Sequence, residues 1–407
     1  MYLCRASVYI YFAVWVVLAV FSYIYNSNYI YEPLLIYLTG VDLYYSYVAV
    51  TNYRLPVYFK GLFVFVFILV VYGILLIIVG DDVFWQATGQ FLRKYLYILW
   101  LIPAMLSVAP VYVFTCRGLI GEREMKILFL IFFACGVNAF YGGLEQQMAY
   151  AVLMQTEQEE FTVTSVYMLL SLLPLVILFK GKDILRFVFL CIIFVFLVLS
   201  AKRGAIILGG LSILLLVMSM LVNSSLVRKF IIILVTILCL VMSYLFINHQ
   251  MESSPYFAMK AQRTLEGYSS GRDEYIRHIL DYYFNKSTNF QAFWGIGAQG
   301  TLSANESFAH NDWLAILLEQ GMFGFCIYLL YWFCFVVSWL KSKVNFDAFV
   351  VIGLLILIGF GKSLFSMYYL PISPEMMASS GFYAIALGYY LAKAFPQEEN
   401  EEKYGGV

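Results

Sequence analysis

The sequence predicts an all-α polytopic membrane protein with about 12 transmembrane helices and one large outer loop carrying short amphipathic helices. Three observations carry this expectation. Apolar residues make up 63% of the 407 residues and charged residues only 12%, whereas soluble chains average about 25% charged residues. Apolar runs near the roughly 20 residues needed to cross a bilayer recur along most of the chain. The Lys and Arg residues concentrate in alternate loops, as cytoplasmic loops of membrane proteins do.

The runs lie near 8–24, 34–50, 61–79, 95–115, 126–143, 161–179, 184–200, 204–222, 229–247, 321–340, 347–366 and 375–395. The first has no small-residue cleavage pattern after it and reads as a retained anchor. The second is short and carries Asp42. With the N-terminus inside, the inner segments hold Arg5, Arg54, Lys60, Arg117, Arg123, Lys126, Lys180, Lys182, Arg186, Arg228, Lys229, Lys341, Lys343, Lys393 and Lys403. The outer segments hold fewer, among them Arg93, Lys94, Lys202, Arg203, Arg272, Arg277 and Lys286, while Lys362 falls within a run. The acidic stretch 144–160, with Glu145, Glu157, Glu159 and Glu160, suits an outer loop. The chain therefore divides into helices 1–9 over residues 1–247, an outer loop over 248–311, helices 10–12 over 312–395 and an inner tail over 396–407.

Two amphipathic helices are expected in the outer loop, near 255–266 and 272–284. In the second, Ile276, Ile279, Leu280 and Tyr283 recur at helical spacing opposite Arg277 and His278. The seven cysteines lie in or beside apolar runs and lack a C-x-x-C pair, so neither a disulfide framework nor a zinc site is expected. The net charge of zero gives no global field for nucleic acid.

Polar residues at outer helix starts are the candidate site. Arg203 stands just before a helix N-terminus, where unpaired N–H groups already favour an anion over a cation. A bound anion would complete that arrangement; the alternative is an interfacial Arg reaching to lipid phosphate. Arg272 follows the cap signal Ser269-Ser270-Gly271, with pairing to Asp273 or Glu274 as its simpler role. His310-Asn311-Asp312 opens another outer helix, with residues 309–320 expected to continue into the span from Gly321. A near-neutral imidazole is the usual general base, although a lone His at a helix start is more often a hydrogen-bonding residue. Gly295-Ile296-Gly297-Ala298-Gln299-Gly300 spells G-x-G-x-x-G without a strand–turn–helix unit around it and reads as a tight loop. Asp81-Asp82 lacks a third metal ligand and reads as a solvated loop.

Taken in order, Ser200-Ala201-Lys202-Arg203-Gly204-Ala205, Ser270-Gly271-Arg272, Gly295-Ile296-Gly297, His310-Asn311-Asp312-Trp313-Leu314 and Glu319-Gln320-Gly321-Met322-Phe323-Gly324 resemble the O-antigen ligase/polymerase family of bacterial envelope glycosyltransferases. The likeness covers about residues 184–340; the first half matches only as a series of spans. Ala201-Lys202 before the Arg and Asp312-Trp313 after the Asn depart from the commoner pattern without removing a needed charge. The resemblance implies an enzyme of the bacterial inner membrane with its site facing the periplasm. Such an enzyme takes a glycan from a polyprenyl diphosphate carrier without metal or other cofactor. A polymerase joining lipid-linked repeats is the first expectation, and a ligase transferring glycan to a lipid A core is the alternative. Arg203 and Arg272 would hold the diphosphate, with Lys202 and Arg277 assisting. His310 would deprotonate the acceptor hydroxyl, giving inversion, with Asn311 and Glu319 in support. Membrane lipid and a chain-length regulator are the further partners implied. A transporter reading predicts internal repeats and several mid-membrane charges; the sequence offers no repeat, and only Asp42 and Lys362 as such charges.

Overall fold

The computed structural model describes residues 2–21, 28–80, 83–85, 90–153, 163–200, 202–222, 224–253, 262, 272–305, 309–371 and 374–397. It is an all-α membrane protein. Among the described residues, eight helices are long and apolar enough to cross a bilayer, and Arg5–Val20 and Val166–Phe179 are shorter apolar helices.

The first part contains α1 (Tyr2–Val20), α2 (Asn28–Asn52), α3 (Val57–Val79), α4 (Leu96–Leu106), α5 (Val108–Cys116) and α6 (Glu122–Leu153). A short antiparallel pair, Val83–Trp85 with Gln90–Leu92, joins α3 to α4. Then come α7 (Val166–Leu172), α8 (Asp183–Leu199), α9 (Arg203–Val222) and α10 (Leu226–Ser253). Residues 272–305, the expected outer loop, supply α11 (Arg272–Asp281), α12 (Asn289–Trp294) and α13 (Gly300–Asn305). The chain continues through α14 (Asp312–Glu319), α15 (Gly321–Lys341), α16 (Phe346–Phe365) and α17 (Pro374–Ala394).

Proline chemistry explains two departures from the expected runs. The run at 95–115 breaks at Ser107 into α4 and α5. Pro110 cannot donate to the Leu106 carbonyl, and its ring crowds that carbonyl. The run at 161–179 turns from α-helix to 3-10 helix at Leu173, where Pro174 likewise cannot donate to Leu170. A third departure is an extension: α6 runs on to Leu153, into the stretch expected to be outer loop. Glu145, Gln146 and Gln147 are too polar for bilayer core but are good helix formers, so the apolar run ends before the helix does. The expected helix at 255–266 falls almost wholly outside the described residues. The one at 272–284 is present as α11 and a following π turn, Tyr282–Lys286.

Helix α17 is the hub. It is buried on all sides from Met376 to Ala392 and packs against α5, α7 and α16. Small residues permit the close approaches: a β-carbon on Gly388 would stand 2.6 Å from the Val108 carbonyl oxygen. Buried Asp42 accepts hydrogen bonds from Tyr11 (3.0 Å) and Ser107 (2.8 Å), fastening α1 and α2 to the α4–α5 break. That bonding assigns Asp42 to packing. By contrast, α10 presents apolar side chains such as Phe230, Leu234, Leu238 and Leu245 outward, as a lipid-facing helix does.

Loop contacts sort the two ends of the bundle. At one end Gln397 bonds both the amide and the carbonyl of Arg54, Lys180 pairs with Asp347 at 3.0 Å and Arg228 makes a bidentate pair with Asp183. All these segments were expected inside. At the other end Lys94 bonds the Gly80 carbonyl, both expected outside, and Tyr72, within the run at 61–79, donates to the Trp294 carbonyl in the expected outer loop. The orientation is open to a direct check. In a cysteine-free variant, Glu274→Cys should react with an impermeant thiol reagent in intact cells and Lys343→Cys should not. Labelling at Lys343→Cys alone would invert the orientation.

Candidate active site

Three consecutive side chains bind the start of α14 to the end of α16. Asn311 is the N-cap: its side chain accepts from the Leu314 amide (3.2 Å) and donates to the Leu364 carbonyl (3.1 Å). Asp312, fully buried, accepts the amides of Tyr368 (2.8 Å) and Tyr369 (3.3 Å). Trp313 donates its indole N–H to Ser363 (3.0 Å). His310 precedes this brace, half-buried, at φ +47°. That left-handed conformation strains a residue with a β-carbon, although His tolerates it better than most. Such strain persists only where the surroundings impose it, and it gathers at functional sites.

The start of α9 arrives at the same place. The Ile206 amide donates to the Lys202 carbonyl (3.0 Å), so the helix is wound from its first turn and presents its positive end there. A β-carbon on Gly204 would lie 3.2 Å from Phe365 Cβ and 3.3 Å from the Tyr167 hydroxyl. Lys202-Arg203 and His310-Asn311 thus flank the last two residues of α16, Leu364 and Phe365.

A second cation joins them. Lys202 Nζ donates to Thr164 (3.0 Å) and stands 5.9 Å from the Tyr167 ring centre. Lys362 Nζ stands 5.5 Å from that same centre and donates to Ser379 (3.3 Å). Two ammonium groups thus share one aromatic ring at this end of the bundle. Lys362 was visible in the sequence as a charge within a span, a standing signal of function. Its neighbours Tyr167 and Ser379 carry no motif and were not foreseen.

The expected continuous helix from 309 to the span does not form. Helix α14 stops at Glu319, and α15 starts afresh at Gly321, which has φ +67°. The reason is the G-x-G-x-x-G segment. The Ile296 and Gly297 amides donate to the carbonyls of Leu318 (3.0 Å) and Glu319 (2.9 Å), satisfying acceptors left over at the end of α14. Backbone meets backbone so closely that a β-carbon on Gly295 would lie 2.1 Å from the Glu319 oxygen, and one on Gly321 2.4 Å from the Phe293 oxygen. The segment is a tight loop, as expected, and the glycines are what let it interlock.

Glu319 faces this loop. Its carboxylate accepts the hydroxyl (2.6 Å) and amide (3.3 Å) of Thr301 at the start of α13. Burial pushes its carboxyl up to about 7, and burial likewise pushes that of Asp312 up to about 8. Both side chains hold structure around the site. Ile279 of α11 and Tyr283 of the following π turn are buried with Ala315 and Leu318 of α14, the apolar face read from the sequence. Arg277 and His278 lie on the exposed face, and Arg277 donates back to the Asp273 carbonyl. Among the described residues no contact brings Arg277 to the end of α16. Arg272 begins α11, but its side chain is outside the described residues, as are Asp81-Asp82 and Ser269-Ser270-Gly271. His249 is exposed near the end of α10. Among the described residues no group of three or more His, Cys, Asp or Glu side chains could hold a metal ion.

Two outcomes follow from the interlock. Gly321→Ala should lower the stability of the purified protein by at least about 2 kcal/mol, through left-handed strain and the clash with Phe293. A thermal unfolding midpoint equal to the parent's would contradict this. The second concerns pH. Because the folded Glu319 carboxyl titrates near 7 and its ordinary value is 4.5, its contribution to stability is complete below about 4.5 and is lost as pH rises through 7. Amide exchange at Gly300–Asn305, corrected for intrinsic rate, should be slower at pH 5.5 than at pH 8, and Glu319→Gln should shrink that difference. Equal protection in the parent at both pH values would refute the coupling.

Compared with known proteins, the chain matches no protein-family model and has no significant match among curated proteins.

Proposed function

We propose that this chain is an inverting membrane glycosyltransferase that polymerises lipid-linked oligosaccharide repeats from a polyprenyl diphosphate donor. The observation that carries the reading is the convergence of Lys202-Arg203 and His310-Asn311 on one helix end: Gly204 abuts Phe365, and Asn311 bonds the Leu364 carbonyl. A cationic helix start beside a strained imidazole is the pairing this reaction needs. Ligation of glycan to a lipid A core would use the same groups with a different acceptor.

In this reading the eight long spans are joined by Arg5–Val20, Val166–Phe179, α8 and α17 to give twelve, in a bacterial inner membrane, with the site on the periplasmic side. The bond between sugar and diphosphate supplies the driving force. Arg203, with Arg272 on α11, binds the diphosphate and stabilises the charge that grows on it as its bond to the anomeric carbon breaks. The opening amides of α9 add donors to the same charge. Lys202 contributes field rather than a fork, and Arg277 remains an outer contributor. His310 takes the proton of the acceptor hydroxyl as that oxygen attacks. Asn311 and Asp312 hold His310 by fixing the backbone that follows it. The residues assembled here have no need of a metal or other cofactor for these steps.

The experiment is transfer by purified protein from a lipid-linked repeat. His310→Ala should bind the donor but transfer at least about 10²-fold more slowly, with His249→Ala and His278→Ala near the parent. Arg203→Lys keeps charge and loses the planar fork, and should slow transfer by about 10²–10³. An unchanged rate in both His310→Ala and Arg203→Lys would reject the reading. Deleting the gene separates the two acceptors: single repeats capped on the anchor lipid indicate polymerisation, and full-length glycan stranded on its carrier indicates ligation.

A further inference from the structure

Two cysteines from separate helices meet in the bundle. Cys191 of α8 and Cys239 of α10, 48 positions apart in sequence, bring their sulfur atoms to 3.0 Å. Their spacing carries no motif. Both are free thiols and both are half-buried. Cys239 lies near the midpoint of the span Leu226–His249. Beside the pair, Val188 of α8 and Leu238 and Met242 of α10 are exposed and apolar, so the thiols sit at a seam that faces lipid.

That seam is lightly held. Helix α10 packs on α8 and α9, yet only 6% of the residues in its apolar stretch are buried. The bidentate pair of Arg228 with Asp183 fastens one end. Each of those residues stands in the first turn of its helix, so α8 and α10 run parallel from that point. The sulfur atoms meet roughly 12 Å further along α8.

Hydrocarbon restricts what can act on such a pair. Exchange with a water-soluble disulfide requires a thiolate, and an unpaired charge is costly where no water solvates it. An oxidant that dissolves in the bilayer and takes up protons together with electrons avoids both difficulties. Quinones have these two properties.

We propose that Cys191 and Cys239 form a dithiol that a membrane quinone oxidises to a disulfide, pinning α10 to α8. The two S–H bonds break and one S–S bond forms. Both electrons and both protons pass to the quinone, which leaves as quinol. The link closes the chain through α9 into a covalent loop and fixes the helix that precedes the expected outer loop. It owes nothing to the proposed glycosyl transfer.

The test uses full-length protein, reduced, in nanodiscs holding a single copy, with a protease site inserted between Ser224 and Ser225 ahead of α10. Cutting there leaves Cys191 on one fragment and Cys239 on the other. A fully substituted benzoquinone, which cannot add to thiols, is supplied in the lipid, and remaining thiols are then blocked with maleimide. Without reductant the fragments should stay joined on a denaturing gel, with quinol formed mole for mole, and dithiothreitol should part them. Cys191→Ser and Cys239→Ser should each abolish the joining, whereas Cys135→Ser should not. Peptide mapping of the uncut parent should find the same link, so the result stands whether or not the cut and substituted proteins fold. Fragments that part without reductant, or a link that survives in Cys191→Ser, would overturn the proposal.

Discussion

Asp312 accepts the amide hydrogens of Tyr368 and Tyr369 from inside the protein, and the position of the site depends on those two bonds. A buried carboxyl is costly unless its oxygens are used. Here one oxygen holds the connection from α16 to α17 while its own residue starts α14. Asn311 and Trp313 repeat the attachment at Leu364 and Ser363. The end of α16, the entry to α17 and the first turn of α14 thus form one rigid node. Helix α9 leans on that node through Gly204. His310 inherits its backbone conformation from this arrangement.

The membrane-embedded class and most helix positions were legible because lipid imposes a simple composition rule on each span. The breaks at Ser107 and Leu173 were also in the sequence, as Pro110 and Pro174, but an apolar count does not register a missing N–H. The interruption between Glu319 and Gly321 was harder to foresee. It is created by residues 295–297, which are remote in sequence, and only the pairing of two backbones reveals it. Polar residues at helix starts pointed to Arg203 and His310 because capping is local. Lys362 stood out by charge alone, whereas Tyr167 and Ser379, which surround it, are ordinary residues in apolar helices. Their part in the site comes from packing of α7, α16 and α17.

The roles of the acidic residues divide in a way their spacing did not suggest. Glu319 lies within the motif that resembles the glycosyltransferase family, and in the fold its carboxylate serves α13 through Thr301. Asp42, read as a mid-membrane charge, closes a junction of three helices. Lys362, read the same way, lies in the last turn of α16, beside the candidate site.

The interlock of Gly295–Gly297 with Leu318 and Glu319 also bears on how the chain is assembled. Residues 289–297 leave the ribosome before the carbonyls they bind. That segment must therefore wait, with its amides solvated, until α14 and α15 follow it. Its last folding step is a docking event, timed by the arrival of α14 and α15 and not by synthesis of the segment itself.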